Sequence, residues 1–116
     1  MGGAMDIRTE ELPGEIAKVM LSGRLDSPGA IEIEMPLNAV ATERRAIIVD
    51  LTSVAFLSSY GVRVLLVAAK ISNGKGGKLV LLCPDGQVAK VLRIARIDAL
   101  VPMFDSEDAA VSALAE

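Results

Sequence analysis

A chain of 116 residues has room for one hydrophobic core, and a content of 52% apolar but only 3% aromatic residues makes that core aliphatic. A net charge of -3 argues against a nucleic-acid-binding face, and the absence of histidine excludes Ser-His and Cys-His catalysis and most zinc sites. The apolar run Val64 to Ala69 is far short of the roughly 20 residues that cross a bilayer, and no signal-peptide pattern opens the chain.

The lone cysteine, Cys83, fits a reducing compartment and sits in an apolar strand pattern, where it reads as a small buried hydrophobe. Met1 to Ala4 read as an appended or frayed end outside the fold. Ile7 to Leu12 and Glu15 to Leu21 are expected as two strands joined by the turn dipeptide Pro13-Gly14. Leu21 to Asp26 then carries the chain out of the sheet. Ser27 is expected to cap a helix, with Pro28 at the first helical position.

Gly29 to Arg45 must return the chain as a helix, yet it reads badly. Ile31 and Ile33 alternate with Glu32 and Glu34 at the strand period, and Pro36 sits in the interior, where it costs about 3 kcal/mol. The expectation is a helix distorted or restarted at Pro36, with Leu37, Val40 and Ala41 inward.

Ile47 to Leu51 reads as a strand buried on both faces. A loop centred on Ser53 follows, then Phe56-Leu57, and from Ser59 or Tyr60 a helix runs to about Ser72. Steps of 100° group Val62, Leu65 and Ala69 opposite Arg63 and Lys70, with Leu66 and Val67 bordering the charged stripe. Asn73 to Gly77 ends this helix. Lys78 to Cys83 is another buried strand, and Gln87 to Ile97 a helix with Val88, Val91, Leu92 and Ala95 inward. Val101 to Phe104 is a last short strand, and Asp105 or Ser106 caps a final helix.

Strands alternating with helices imply an α/β fold with a largely parallel sheet. The carboxyl ends of its strands share one rim, which should carry Asp26, Asp50, Ser58, Ser59 and Asp85. Ser58 and Ser59 allow two readings: a helix N-cap, or a modifiable serine where free amides and the helix dipole tolerate a phosphate. Neither has a base that would make it a nucleophile. The acids Asp26, Asp50 and Asp85 could ligate Mg²⁺, but turn formation and capping account for them more simply, and no metal or cofactor is expected. Gly74 to Gly77 precedes a strand, the wrong order for a P-loop. The chain reads as a binding module and not an enzyme.

Val49-Asp50-Leu51 through Val54, Phe56-Leu57-Ser58-Ser59 and Gly61 resembles the signature of STAS domains, specifically bacterial anti-sigma factor antagonists. Leu21-Ser22-Gly23-Arg24-Leu25-Asp26 is similar to that family's Gly-x-Leu-Asp element, and the likeness continues through Gly76 to Leu81 and the tail after it. It implies one STAS-like domain over residues 5–116, with a mixed, mostly parallel sheet of about 4–5 strands against about four helices.

The resemblance also implies a function. Such a domain binds an anti-sigma factor with serine-kinase activity while unphosphorylated, frees a sigma factor, and is switched off by serine phosphorylation. The acceptor would be Ser59, with Ser58 second. The partner surface would take in Asp26, Ser58, Ser59, Tyr60, Arg63, Leu66, Val67 and Lys70. A cytoplasmic location, no nucleic acid, no membrane insertion and at most a weak homodimer complete the expectation. Ser58 replaces the Asp of many phosphoswitch members, and Tyr60 a small residue. The alternative is a phosphorylation-independent adaptor in a transporter or multi-protein signalling complex.

Overall fold

The computed structural model describes residues 5–115, so the expectation for Met1 to Ala4 lies outside the described residues. Five strands form one sheet in the order β1-β2-β3-β4-β5. β1 (Met5–Leu12) and β2 (Ile16–Leu25) make the antiparallel hairpin expected around Pro13-Gly14. β3 (Ala46–Leu57), β4 (Lys78–Leu82) and β5 (Met103–Phe104) then add in parallel, each after a helical crossover. The helices are α1 (Ser27–Glu43), α2 (Ser59–Gly74), α3 (Gln87–Ile94) and α4 (Glu107–Leu114).

The sheet separates two apolar layers. One face, with Val19, Leu21, Ile47, Val49, Leu79 and Leu81, packs against α1, α2 and α3. The other, with Ile16, Ile48, Val80 and Leu82, is covered in part by α4 through Ala110. On that second face the Lys18 ammonium lies 2.6 Å from Glu107 of α4 and 3.8 Å from Asp50 of β3. The Glu107 hydrogen bond raises the lysine pKa above its ordinary value, despite opposing desolvation.

Several boundaries move, each for a local reason. The expected exit at Leu21 and the expected loop at Ser53 are both strand. β2 runs on to Leu25, and β3 is continuous to Leu57 with two extra residues opposite β2. These bulges absorb the polar Thr52-Ser53 without breaking the ladder. β4 ends at the level of Asp50, so the outer parts of β2 and β3 project beyond the sheet as a two-stranded extension.

Asp26, not Ser27, caps α1, accepting from the Gly29 amide at 2.9 Å. A carboxylate and a hydroxyl are equally good caps, and the longer strand places the first of them at the start. α1 runs unbroken through Pro36, whose ring faces solvent. Its buried set is Gly29, Ala30, Ile33, Leu37 and Ala41, with Val40 only half-buried. α3 stops at Ile94 because Arg96 turns left-handed at φ 62, and a 3-10 turn over Ile97–Ala99 leads on. Val88, Ala89 and Leu92 are its inward residues, Val91 is half-buried and Ala95 faces water.

Pro36 supplies no amide to the Glu32 carbonyl, so α1 carries a missing rung on its wet side. Pro36→Ala should therefore stabilise the protein by about 1–3 kcal/mol, read as a higher midpoint in urea or thermal unfolding with an unchanged fold by circular dichroism.

Candidate functional site

At the tip of the projecting extension, two crossover helices begin side by side. α1 starts after β2 under its Asp26 cap, and α2 starts after β3 under its Ser58 cap. Ser58 is tied down on every side. Its amide donates to the Leu25 carbonyl at 2.9 Å, its hydroxyl donates to the same oxygen at 3.0 Å, and its Oγ accepts from the Gly61 amide at 3.1 Å. Gly61 is buried so close to this junction that an added Cβ would stand 2.7 Å from the Leu25 oxygen. Only glycine fits.

This contact sets the rotation of α2. Its buried residues are Gly61, Val64, Leu65, Ala68 and Ser72, whereas the helical-wheel expectation placed Val62, Leu65 and Ala69 inward. Val62 and Ala69 are half-buried instead, since seating Gly61 on Leu25 turns the helix by part of a step.

Ser59 is the first residue of α2 and is exposed. Among the described residues its hydroxyl makes no hydrogen bond, and the Ser59 and Tyr60 amides have no acceptor. The next amides are occupied, Gly61 by the Ser58 hydroxyl and Val62 by the Ser58 carbonyl at 2.9 Å. The helix start thus offers a free hydroxyl beside two free donors. Tyr60 leans onto α1, donating to Glu34 at 3.1 Å. That bond holds the phenol above its ordinary pKa.

The anticipated rim of acids comes apart. Asp26 stays beside Ser58, one oxygen capping α1 and the other 3.6 Å from Arg24 Nε. Asp50 instead points to the opposite face of the sheet, where it accepts from Thr52 and faces Lys18. Strand alternation explains this, because Val49 and Leu51 on either side of it are buried in the main core. Asp85 is held 2.8 Å from Arg93, which lowers its carboxyl pKa. Among the described residues no group of three potential ligands is placed to hold a metal ion. Cys83 is buried, and desolvation pushes its thiol pKa up.

Arg63 and Lys70 are exposed and Val67 is half-buried among them. Leu66 and Lys70 together border a shallow groove with Ala69, Asn73, Leu100 and Val101. One feature of the tip escaped the sequence: Arg24 lies over the exposed Phe56 ring, 4.5 Å from its centroid. Their cross-strand register pairs them, and two bulges had hidden it.

Residues 6–110 match the model of the STAS domain. The chain belongs to the STAS domain family. Its relatives include the anti-sigma F factor antagonist of Paenibacillus polymyxa, 29% identical over 84% of this chain and 83% of that protein. BtrV of Bordetella bronchiseptica, also named as an anti-sigma factor antagonist, is 33% identical over 80% of this chain and 81% of its own.

An anti-sigma factor antagonist from Mycobacterium paratuberculosis has the same fold, with a TM-score of 0.89 at 22% identity over 97% of this chain and 95% of that one. SpoIIAA in its phosphorylated form superposes with a TM-score of 0.68 at 20% identity, covering 92% of this chain and 97% of its own. A sulfate transporter family protein from Wolinella succinogenes does so with 0.74 at 18% identity, over 90% and 88% of the two chains. These matches place the protein with the anti-sigma factor antagonists within the STAS family, and no helix among the described residues is long and apolar enough to cross a membrane.

Two substitutions test the junction. Ser58→Ala should cost this STAS domain about 1–2 kcal/mol, by removing the cap and the second bond to Leu25. Gly61→Ala should cost more, because the clash is with backbone. Urea unfolding of both variants measures the difference, and an unchanged midpoint for either would mean that the contact does not carry the helix start.

Proposed function

We propose that this domain, spanning residues 5–116, is a cytoplasmic anti-sigma factor antagonist that captures its partner while Ser59 is unmodified and releases it once Ser59 is phosphorylated. One observation carries the choice of residue. The Ser58 hydroxyl is spent as donor and acceptor, whereas the Ser59 hydroxyl is free and exposed. The names of the curated relatives support an anti-sigma factor as partner, and SpoIIAA is known in a phosphorylated form.

The chemistry is one of charge. A phosphate adds about -1.5 to -2 charges at neutral pH. The free amides of Ser59 and Tyr60 and the dipole of α2 favour that charge, so the fold survives it. Arg24 already offsets part of the Asp26 charge nearby. The penalty falls on the complex, where the partner must desolvate a dianion at the contact. Asp26, Ser58, Ser59, Tyr60, Arg63, Leu66, Val67 and Lys70 form the proposed contact surface, with Leu66 and Lys70 at the groove toward Leu100. The domain acts by binding and catalyses nothing itself.

Incubation with the cognate kinase and ATP should place one phosphate on Ser59, detected by mass spectrometry. Ser59→Asp should fold but lose more than about a hundredfold in affinity, while Ser59→Ala binds and cannot be switched off. Phosphate on Ser58 alone would move the switch by one residue. No phosphate, with a transport ATPase or sensor scaffold captured from the native cell, would leave the phosphorylation-independent adaptor. Val67→Glu should weaken partner binding in titration calorimetry without lowering the melting midpoint, and a folded variant that binds unchanged would show that the surface is misplaced.

A further inference from the structure

β1 is an edge of the sheet. It pairs with β2 along its whole length, from Met5 opposite Gly23 to Leu12 opposite Ile16. Among the described residues no strand pairs with its outer side, and the Met5 amide at its end donates to Glu32 of α1 at 3.1 Å. An unpaired edge of eight residues is a template for another strand unless its side chains forbid the pairing. Met5 and Ile7 face the main core, and Leu12 reaches the second core on the opposite face. Alternation sets Asp6, Arg8 and Glu10 on that opposite face, where Asp6 and Arg8 line an open depression with Met20, Ser22 and Asp50. Arg8 has only a loose contact with Asp6, at 3.8 Å and with both side chains largely exposed.

We propose that a second copy of this chain adds to the β1 edge, strand against strand about a two-fold axis, to make one sheet through two protomers. The charges on the strand select this occupant and its register. A two-fold axis makes the two β1 strands antiparallel. Hydrogen-bonded and non-hydrogen-bonded pairs alternate along such a ladder, so the axis must fall on a residue and not between two. With the axis on Arg8, two arginines meet and Asp6 opposes Glu10. With it on Glu10, two glutamates meet. On Ile7, Asp6 opposes Arg8 favourably, but among the described residues only Met5 to Thr9 overlap.

With the axis on Thr9, Arg8 opposes Glu10 twice, once on each side of it. Ile7 then opposes Glu11, Asp6 opposes Leu12, and the overlap extends through almost the whole strand. No like charges face each other. Opposite charges facing each other across strands stabilise the pairing and like charges oppose it, so the Thr9 register is preferred over its neighbours. The Glu11 side chain, which faces Ile7 in this register, is already paired with Arg44 of its own chain.

Cross-linking tests the register directly. Residues opposite each other on antiparallel strands have Cα atoms about 4.5–5.5 Å apart, within disulfide reach, whereas the next diagonal pair lies beyond it. Thr9→Cys in the full chain, mildly oxidised, should give a covalent dimer, while Arg8→Cys and Glu10→Cys should not. Unmodified protein, with Cys83 buried, is the control. Sedimentation equilibrium up to about 1 mM supplies the second readout, since that covers weak association.

Wild-type protein should approach the mass of two chains. Arg8→Glu should weaken association at least about tenfold, and Arg8→Glu combined with Glu10→Arg should restore it, with all variants equally folded by circular dichroism. Wild-type protein that stays monomeric, a double variant that fails to recover, or cross-links formed equally at all three positions would overturn the proposal.

Discussion

The carbonyl oxygen of Leu25 is the point on which the architecture turns. It receives both the amide and the hydroxyl of Ser58, and the Cα of Gly61 is pressed against it. Through that one oxygen the end of β2 is joined to the end of β3, the start of α2 is fixed, and the rotation of α2 follows. The inward set of Gly61, Val64, Leu65 and Ala68 is a consequence of this seating more than of the hydrophobic pattern. A buried carbonyl needs its hydrogen bonds satisfied, and here a side chain and an amide from the same residue do so together. The same contact commits Ser58 to structure and leaves Ser59 free.

Charge is distributed so that the tip stays nearly unburdened. Asp50 and Asp85, which the strand ends seemed bound to present together, are each engaged elsewhere, by Lys18 and by Arg93. Asp26 remains, shared between an amide and Arg24. The groups exposed at the tip are therefore a hydroxyl, two unclaimed amides, an arginine stacked on an aromatic ring and the wet side of α2. The proposed reading of the tip as a recognition surface rests on these groups, and the names of the relatives, anti-sigma factor antagonists, support it.

Much of this was legible in the residues. The hairpin at Pro13-Gly14, the aliphatic strand at Ile47 to Leu51, the helix expected from Ser59 or Tyr60 and the cap expected at Asp105 or Ser106 each rest on local chemistry, and the structure takes Ser59 and Ser106. Two kinds of detail were not. Bulges in β3 look like a loop in one dimension, because Thr52 and Ser53 interrupt the apolar run, yet pairing with β2 continues around them. Pro36 looks like a helix break, yet α1 survives it, since packing of Ile33, Leu37 and Ala41 against the sheet outweighs one lost rung on the solvent side.

By itself the sequence determined the class of fold and the class of chemistry. The alternation of aliphatic strands with helices calls for a layered parallel sheet, and a chain without histidine cannot assemble the commonest catalytic or zinc-binding groups. Those are properties of composition and period, which no neighbour can alter. Only the tertiary structure decided which serine is free, which way Asp50 points and which side of α2 is wet. Each depends on a contact between residues far apart in the chain: Ser58 with Leu25, Asp50 with Lys18, Gly61 with Leu25. A helical wheel has no knowledge of such contacts, because the phase of a helix is set by what it is pressed against.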